Sequence, residues 1–372
     1  MLYNVRMKKI AIVTITNSGL NFGNKLQNYA LQHVLESFQA SVHTIFSAKN
    51  VRGNLLLSRI RKLAKAALKS SGRSRRFASF DRAYIKKARR TRFEHINDGS
   101  FAREYDAFVA GSDQVWNPAF FFNSEFEFLT FAEPEKRFSY AASFGLDEIP
   151  DMYREDYSKR LAGMRSISVR EDKGREIVKQ LACRDAPVHV DPTMLLGAGD
   201  YSAMERKPAM PLPERYLLMY FLGDQKPEYV AFLREVAGRL DLPVLELSEH
   251  RGSPFYNIGP QHFLYILRHA DYICTDSFHG AAFAIIFQKP FVAFSRADGN
   301  MSMDSRTETL LGKFGLGSRA FGGLSVEGTL SVGGGLGVES ALEAVPYGEV
   351  GERLSQERAA ALEYLRGIAT QE

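Results

Sequence analysis

Length and composition exclude several classes of protein at the outset. The chain has 372 residues, of which 45% are hydrophobic and 24% are charged, as in ordinary globular proteins. This is long enough for two domains of roughly 150–190 residues each. No apolar run reaches the roughly 18 residues that a membrane span needs. The two cysteines, Cys183 and Cys274, cannot form a disulfide framework, so we expect a cytoplasmic protein with reduced thiols.

Positive charge is concentrated in one block of the chain. Residues 51–97 hold fifteen lysines and arginines against two acidic residues, whereas the whole chain has a net charge of +5. Apolar residues within 54–69 recur at helical spacing between basic ones, which is typical of a helix resting on an anionic membrane. The same pattern also fits a solvated helix that packs one apolar stripe against the protein body. Nucleic acid is not expected as a partner, because no recognition motif accompanies the block.

The first half of the chain alternates strands and helices. Short β-branched runs predict strands at 8–16 and 42–46 on either side of a helix over 25–38, which is one βαβ unit of a parallel sheet. Further strands are predicted at 107–110, 138–142, 167–169 and 188–190, and a further helix at 172–181. A stretch rich in proline and glycine begins at Pro192, and we place the domain boundary there.

The second half of the chain repeats this alternation. Strands are predicted at 216–221, 244–247, 272–274 and 291–294, and helices at 228–240, 260–268, 279–287, 306–314 and 352–368. The glycine-rich segment 322–337 is interpreted as a surface loop or hairpin. The predicted organisation is an α/β chain of two Rossmann-like domains facing a cleft. Its parts are residues 1–197 with a basic helical insertion at 51–97, residues 198–346, and a C-terminal helix at 347–372.

Polar loops follow the predicted strands, and the first of them spans residues 17–28. Gly23 and Asn24 open the following helix, whose free backbone N–H groups favour an anion. Neither the dinucleotide-binding nor the P-loop glycine pattern is present. The loop therefore fits either an anion site or a tight strand-to-helix turn.

The second loop, at residues 110–118, contains the only tryptophan of the chain. Ser112, Asp113 and Gln114 follow an apolar strand, so their polar groups are expected at the cleft. Trp116 beside these polar groups is typical of a site that stacks an indole on a sugar ring and hydrogen-bonds its hydroxyls. The alternative is a tryptophan that anchors the core, with Asp113 capping a helix.

Two later loops carry charged candidates. Arg170 follows a buried strand and suits a carboxylate or phosphate, or else pairs with Glu171 or Asp172 at the helix start. Asp191 is interpreted as the end of a strand. His279 lies in the first turn of an apolar helix, where it fits a general acid or base, a donor to phosphate, or a structural histidine. No metal-ligand spacing is visible, so no metal is expected.

Four groups of motifs together resemble one known family. They are NFGNKLQNYALQ at residues 21–32, GSDQVWN at 111–117, SVRE at 168–171 with VDPT at 190–193, and TDSFHG at 275–280 with QKPF at 288–291. In this order, over about residues 8–315, they resemble the polysaccharide pyruvyl transferase family. The resemblance implies a glycosyltransferase-B-like fold.

The resemblance also implies an activity. Characterised family members move a pyruvyl group from phosphoenolpyruvate onto two hydroxyls of a sugar, which forms a cyclic ketal and releases phosphate. Phosphoenolpyruvate is then the donor substrate and no cofactor is needed. The implied acceptor is a bacterial surface glycan or its lipid-linked precursor, reached at the inner face of the membrane.

Roles for individual residues follow from the matched motifs. Arg170 matches the family arginine implicated in donor binding, His279 matches the histidine of the C-terminal motif, and we take His279 and Asp113 as catalytic. Relatives often carry an arginine where this chain has Ser277, so a cation is missing there. Lys289, Arg296 or Arg306 are the candidates to replace it. The other predicted substrate-binding residues are Gly23, Asn24, Ser112, Gln114, Trp116, Ser277 and Gly280.

A second function fits the same fold. A glycosyltransferase with a nucleotide-sugar donor would place the diphosphate at His279 and the loops of the second domain. Product analysis separates the two functions, because one consumes phosphoenolpyruvate and the other consumes a nucleotide sugar.

The basic block generates a first prediction. If residues 54–69 rest on an anionic leaflet, each basic residue near the surface adds about 1 kcal/mol of binding, and salt screens this attraction. We expect the protein to sediment with anionic phospholipid vesicles at low salt and to be released at high salt. A variant with Arg59, Lys62, Lys65 and Lys69 changed to Gln should stay in the supernatant. Failure of the unmodified protein to bind at low salt would favour the solvated helix.

Overall fold

A computed structural model describes residues 7–16, 20–45, 72–88, 99–120, 125–296, 304–321 and 337–370. Within these ranges the chain forms two four-stranded parallel sheets with helices packed around them. None of the described helices combines the length and apolarity that crossing a bilayer requires.

The first sheet comes entirely from residues before 197. Its strands are Lys9–Val13 (β1), Ser41–Thr44 (β2), Ala107–Ala110 (β3) and Arg137–Ser139 (β4), in the spatial order β2-β1-β3-β4. The helices of this half are Phe22–Ser37 (α1), Gly72–Tyr84 (α2), Asp151–Ala162 (α3) and Asp172–Ala182 (α4). All four residues of β3 are buried, as expected for a parallel sheet covered on both faces.

The second sheet repeats this topology. Its strands are Leu217–Tyr220 (β5), Val244–Glu246 (β6), Tyr272–Thr275 (β7) and Phe291–Ala293 (β8), in the order β6-β5-β7-β8. The helices are Ala198–Ser202 (α5), Pro227–Leu240 (α6), Pro260–His269 (α7), Phe278–Ile286 (α8), Ser305–Phe314 (α9), Val338–Leu342 (α10) and Tyr347–Thr370 (α11). In each sheet the strand order changes direction beside the strand that comes first in the chain, β1 or β5. Sheets of this kind bind ligands at that point, outside the carboxyl ends of the strands.

Contacts between the halves bring the two carboxyl edges together. The ring of Phe22 in α1 stacks on Phe263 in α7, with centroids 4.7 Å apart. Arg73 in α2 is buried and donates to Glu249 Oε2 at 2.6 Å and to the carbonyl oxygen of Tyr256 at 3.2 Å. These contacts fix one side of the cleft.

Helix α11 follows the second sheet but packs against the first half. The hydroxyl of Tyr364 donates to the carbonyl oxygen of Ser139 at 2.9 Å, and Arg358 Nε donates to that of Met194 at 2.6 Å. Lys313 in α9 pairs with Glu357 at 2.8 Å. The C-terminal helix therefore ties the two halves together.

Most of the predicted elements are confirmed, including the α/β class with two parallel sheets. The expected strands at 167–169 and 188–190 form only isolated bridges. Helix α3 was not predicted, because only Tyr157 and Leu161 of its twelve residues are buried and no apolar period is visible. The predicted basic helix at 54–69 and residues 322–336 of the glycine-rich segment lie outside the described residues.

Buried His189 makes the stability of the fold depend on pH. Its ring stacks on Tyr140, and its Nδ1 lies 2.9 Å from Ser168 Oγ. Burial lowers the pKa of His189 to about 4, whereas an exposed histidine has a pKa of about 6.5. Between these values the unfolded chain binds more protons than the folded one, so stability falls as the pH drops through this window.

We expect the free energy of unfolding, measured by urea titration, to fall between pH 7 and pH 4.5. In His189→Asn this fall should be smaller by about 2–3 kcal/mol. The exposed His33→Asn variant serves as the control. If His189→Asn loses as much stability over this range as the control, the prediction is wrong.

Candidate functional site

A cavity of about 190 Å³ lies where the carboxyl edges of the two sheets meet. Seven of the twelve predicted site residues line it, namely Gly23, Asn24, Asp113, Gln114, Ser277, His279 and Arg306. The rest of its wall is Ile15, Asn21, Phe120, Tyr220, Leu222, Asp276, Phe278 and Arg296. Within the described ranges, no cluster of three or more His, Cys, Asp or Glu side chains is arranged to hold a metal ion.

Two helices begin at this cavity, one from each half of the chain. Asn21 caps α1, with Oδ1 accepting from the N–H of Asn24 at 3.0 Å. Ser277 caps α8, with Oγ accepting from the N–H of Gly280 at 3.3 Å. Polar caps of this kind explain where both helices start. Because the amino end of a helix carries partial positive charge, the two starts together favour an anion in the cavity.

The buried carboxylate of Asp191 lies at the centre of the hydrogen-bond network behind the cavity. Its Oδ2 accepts from Arg170 Nη1 at 2.8 Å, and its Oδ1 accepts from the N–H and Oγ1 of Thr193 at 3.0 and 2.8 Å. Burial by itself raises the pKa of Asp191, but the nearby His279 and Arg170 outweigh burial and hold that pKa well below its usual range. Asp191 is therefore a fixed negative charge.

Arg170 lies behind the cavity wall and does not line the cavity. Its Nη2 donates to Asp113 Oδ1 at 3.2 Å, so two carboxylates already neutralise the guanidinium. The ring of Phe278 covers this group, with the centroid 4.4 Å from Cζ. The ion-pair partners of Arg170 are therefore Asp191 and Asp113 rather than the residues at the helix start.

The imidazole of His279 reaches from the second half of the chain to Asp191 in the first. Its Nε2 lies 3.8 Å from Asp191 Oδ2 and has no hydrogen-bond partner among the described residues. Gly23 makes room for the ring, since a Cβ at that position would lie 2.1 Å from Nδ1. An imidazole between a fixed carboxylate and a cavity is well placed to hold and release a proton.

Arg296 and Arg306 supply the cations that the loop before His279 lacks. Arg296 follows β8 and Arg306 lies in the first turn of α9, and both line the cavity. Burial is the main reason that the pKa of Arg306 is lowered to about 10, and the charge of Arg170 adds to it. Arg306 Nε is buried and has no hydrogen-bond partner within the described part of the chain. A bound anion stabilises a buried guanidinium in this state, because it supplies the missing hydrogen-bond acceptor.

The side-chain amide of Gln114 lies against the Arg306 guanidinium. This amide lies 2.9 Å from Arg306 Nη1 and 3.2 Å from Nη2, but also 2.6 Å from Asn117 Nδ2. The amide has a single oxygen, which faces either Arg306 or Asn117. The donor on the other side then meets the amide nitrogen, which does not accept a hydrogen bond.

Trp116 and Lys289 are two of the five predicted site residues that do not line the cavity. Trp116 is fully buried, stacks on Phe128 with centroids 5.3 Å apart, and donates from Nε1 to the carbonyl oxygen of Glu127 at 3.2 Å. Trp116 is therefore the core anchor of the alternative interpretation and not a sugar platform. Lys289 precedes β8, so it lies at the amino edge of a parallel sheet, opposite the cleft, where Asp271 is near.

Ser112 and Gly280 lie behind the cavity. The hydroxyl of Ser112 is fully buried, 2.7 Å from the carbonyl oxygen of Ala141 and 3.1 Å from Asp191 Oδ2. Gly280 lies inside α8, where a Cβ would come within 2.4 Å of Thr275 Oγ1. Neither residue lines the cavity, and their contact with substrate stays a prediction.

The sequence did not reveal the roles of two acidic residues. Asp191 was interpreted only as the end of a strand. Asp276 accepts from the N–H groups of Leu222 and Gly223 at 2.7 and 2.8 Å and so holds the loop after β5 at the cavity. The available signal was position, because each residue follows a predicted strand at the edge where ligands bind.

The sequence matches the model of the polysaccharide pyruvyl transferase family over residues 21–298, about three quarters of the chain. The chain therefore belongs to this family, as its motifs indicated, and is a transferase. Among curated proteins, no sequence is significantly similar to it.

Solved structures share the fold at low sequence identity. A candidate UDP-N-acetylglucosamine 2-epimerase from Listeria monocytogenes is 13% identical with a TM-score of 0.50, covering 98% of this chain and 94% of that one. UGT89C1 from Arabidopsis thaliana is 12% identical with a TM-score of 0.50, covering 98% and 99%. This likeness confirms the predicted glycosyltransferase-B-like fold.

The contact between Gly23 and His279 can be tested by substitution. Alanine normally stabilises a helix by up to about 1 kcal/mol relative to glycine. In Gly23→Ala the new methyl group would overlap the imidazole of His279, so we expect a loss of about 1–3 kcal/mol in the free energy of unfolding. The control is Gly238→Ala in α6, where a Cβ meets nothing within 4 Å and a small gain is expected.

A second substitution isolates the clash. Adding His279→Ala to Gly23→Ala removes the overlapping ring, so a coupling energy of at least about 0.5 kcal/mol should appear in the double-mutant cycle. Equal stability changes for Gly23→Ala and Gly238→Ala would show that a methyl group at position 23 does not contact the imidazole of His279.

Proposed function

We propose that this chain transfers a pyruvyl group from phosphoenolpyruvate to two hydroxyls of a sugar in a bacterial surface glycan or its precursor. The observation that supports this most is the cavity where two helix starts meet Arg296, Arg306 and His279. Phosphoenolpyruvate carries both a carboxylate and a phosphate, so its site needs fixed cations and N–H donors.

The acidic residues of the cavity do not cancel this positive character. Asp113 is paired with Arg170, and Asp276 accepts from two backbone N–H groups. The buried Nε of Arg306, by contrast, has no partner among the described residues. Arg306 therefore keeps a donor that a bound anion can use.

The size of the cavity favours a small donor over a nucleotide sugar. Its volume is about 190 Å³, whereas pockets for drug-sized ligands measure about 300–1,000 Å³. This difference supports phosphoenolpyruvate over the glycosyltransferase alternative that the same fold would permit.

The proposed reaction needs one acid and one base. The donor carbon C3 gains a proton, while C2 gains two bonds to sugar oxygens and loses its bond to the phosphate oxygen. The two sugar hydroxyls release two protons, of which one balances C3 and the other leaves with phosphate. We assign the protonation of C3 to His279, because its imidazole lines the cavity and its Nε2 has no hydrogen-bond partner among the described residues.

Asp113 is the assigned base for a sugar hydroxyl. It lines the cavity, and the donors from Arg170 and from the N–H of Gln114 both contact its Oδ1. Oδ2 is the oxygen assigned to the hydroxyl proton. Arg170 then acts through Asp113 and Asp191 by fixing the two carboxylates, and it does not contact the donor.

Donor binding tests this proposal. Phosphoenolpyruvate at 100 times its Kd should stabilise the protein by about 2.7 kcal/mol, which is read as a raised thermal midpoint. Arg306→Gln should lose most of this rise, whereas Lys289→Gln, at the opposite edge of the second sheet, should keep it.

His279→Gln should keep the rise in thermal midpoint with phosphoenolpyruvate. It should slow phosphate release in the presence of a bacterial surface glycan by about 10²–10⁴-fold.

The outcome that contradicts the proposal is specific. If UDP-N-acetylglucosamine raises the thermal midpoint and phosphoenolpyruvate does not, the chain uses a nucleotide-sugar donor. If Arg306→Gln and Lys289→Gln respond alike, the donor does not occupy the cavity that Arg306 lines.

A further inference from the structure

A second cavity, of about 460 Å³, opens beside the first. Helix α3 forms one of its walls, and residues 118–120, which follow the GSDQVWN motif, form the other. We call it the α3 groove, lined by Pro118, Ala119, Phe120, Tyr153, Asp156, Tyr157 and Arg160. Phe120 lines both cavities, so a ligand in the groove lies next to one in the cavity.

The lining of the α3 groove combines aromatic rings with a polar pair. Phe120 and Tyr153 are half-buried and therefore present part of their surface to the groove. Arg160 pairs with Asp156 at 3.5 Å, with the carboxylate largely exposed. An aromatic wall beside a carboxylate and a guanidinium matches a sugar ring, whose C–H face is apolar and whose hydroxyls both donate and accept.

The groove is held by the core beneath it. The hydroxyl of Tyr157 donates to the carbonyl oxygen of Trp116 at 2.8 Å. The guanidinium of Arg160 lies over the ring of Phe128, 5.4 Å from its centroid, and Phe128 in turn stacks on Trp116. Trp116, which the sequence suggested for stacking on a sugar ring, thus lies in the core beneath this groove and supports its lining residues.

We propose that the α3 groove binds the saccharide acceptor. The inference rests on the proposed pyruvyl transfer, which needs a sugar with two hydroxyls beside the donor. The sugar lies between Phe120 and Tyr153 with hydroxyls on Asp156 and Arg160, and its reacting hydroxyls point past Phe120 to Asp113 in the cavity. The helix that the sequence pattern did not reveal then determines which sugar is accepted.

Saturation-transfer-difference NMR with simple glycosides tests whether the groove binds a sugar. The probes are the methyl glycosides of galactose, glucose, mannose and N-acetylglucosamine, each added with phosphoenolpyruvate present. At least one probe should bind the unmodified protein, and Tyr153→Ala and Asp156→Asn should each weaken that binding at least about fivefold.

Controls come from the same helix. Met152 is 79% exposed and Glu155 forms only a surface pair with Lys159, and neither lines the groove. Met152→Ala and Glu155→Gln should therefore bind the probe as the unmodified protein does. All four variants should keep the rise in thermal midpoint with phosphoenolpyruvate, because the donor cavity is separate.

The two ways in which the test can fail are distinguishable. If no glycoside binds, or if binding survives in both Tyr153→Ala and Asp156→Asn, the groove is not the acceptor site. If phosphoenolpyruvate fails to stabilise the unmodified protein, the proposed function is wrong, whatever the glycosides do. Equal weakening in the Met152 and Glu155 variants would show a general effect on α3 and would also overturn the assignment.

Discussion

The structure of the site depends on one buried carboxylate. Asp191 binds Arg170 and Thr193, contacts Ser112, and lies beside His279. It thereby links the first half of the chain to the histidine of the second. Removing one partner of a buried ion pair lowers stability by about 3–5 kcal/mol, because the other charge stays buried without a partner. This cost holds the loops after the strands of the first sheet in place around Arg170.

Positive charge reaches the cavity from outside the loop that precedes His279. In that loop Ser277, where relatives often carry an arginine, uses its hydroxyl to cap α8, which an arginine side chain cannot do in the same way. The cations come instead from Arg296 after β8 and Arg306 at the start of α9. Arg306 is buried and incompletely hydrogen-bonded, so the free protein bears a desolvation cost that an anionic ligand reduces.

The two halves of the fold supply different parts of the proposed chemistry. The second half contributes His279 and the two cations, whereas the first contributes Asp113 and the α3 groove. Solved structures with this fold at low identity show only that the scaffold is shared. Function on such a scaffold is decided by the side chains at the cleft, and here these favour a small anion beside a sugar.

The sequence by itself determined the two-sheet fold and much of the cavity. Apolar runs and helical periods predicted the strands, and parallel strands place the loops at their carboxyl ends on one edge. For that reason Gly23, Asp113, Gln114 and His279 were correctly expected at one site. Local pattern was sufficient there, because position along the strand fixes position in the cleft.

Only the tertiary structure decided which side chains face the cavity. Arg170 is neutralised by carboxylates 21 and 57 residues away, and no local pattern encodes such pairing. The side chain of Trp116 packs in the core against the ring of Phe128. Its position after a strand does not reveal that the side chain points into the core. Helix α3 escaped prediction because it buries too little surface to show a period. Side-chain direction and charge pairing depend on packing between segments distant in sequence, which composition and spacing do not specify.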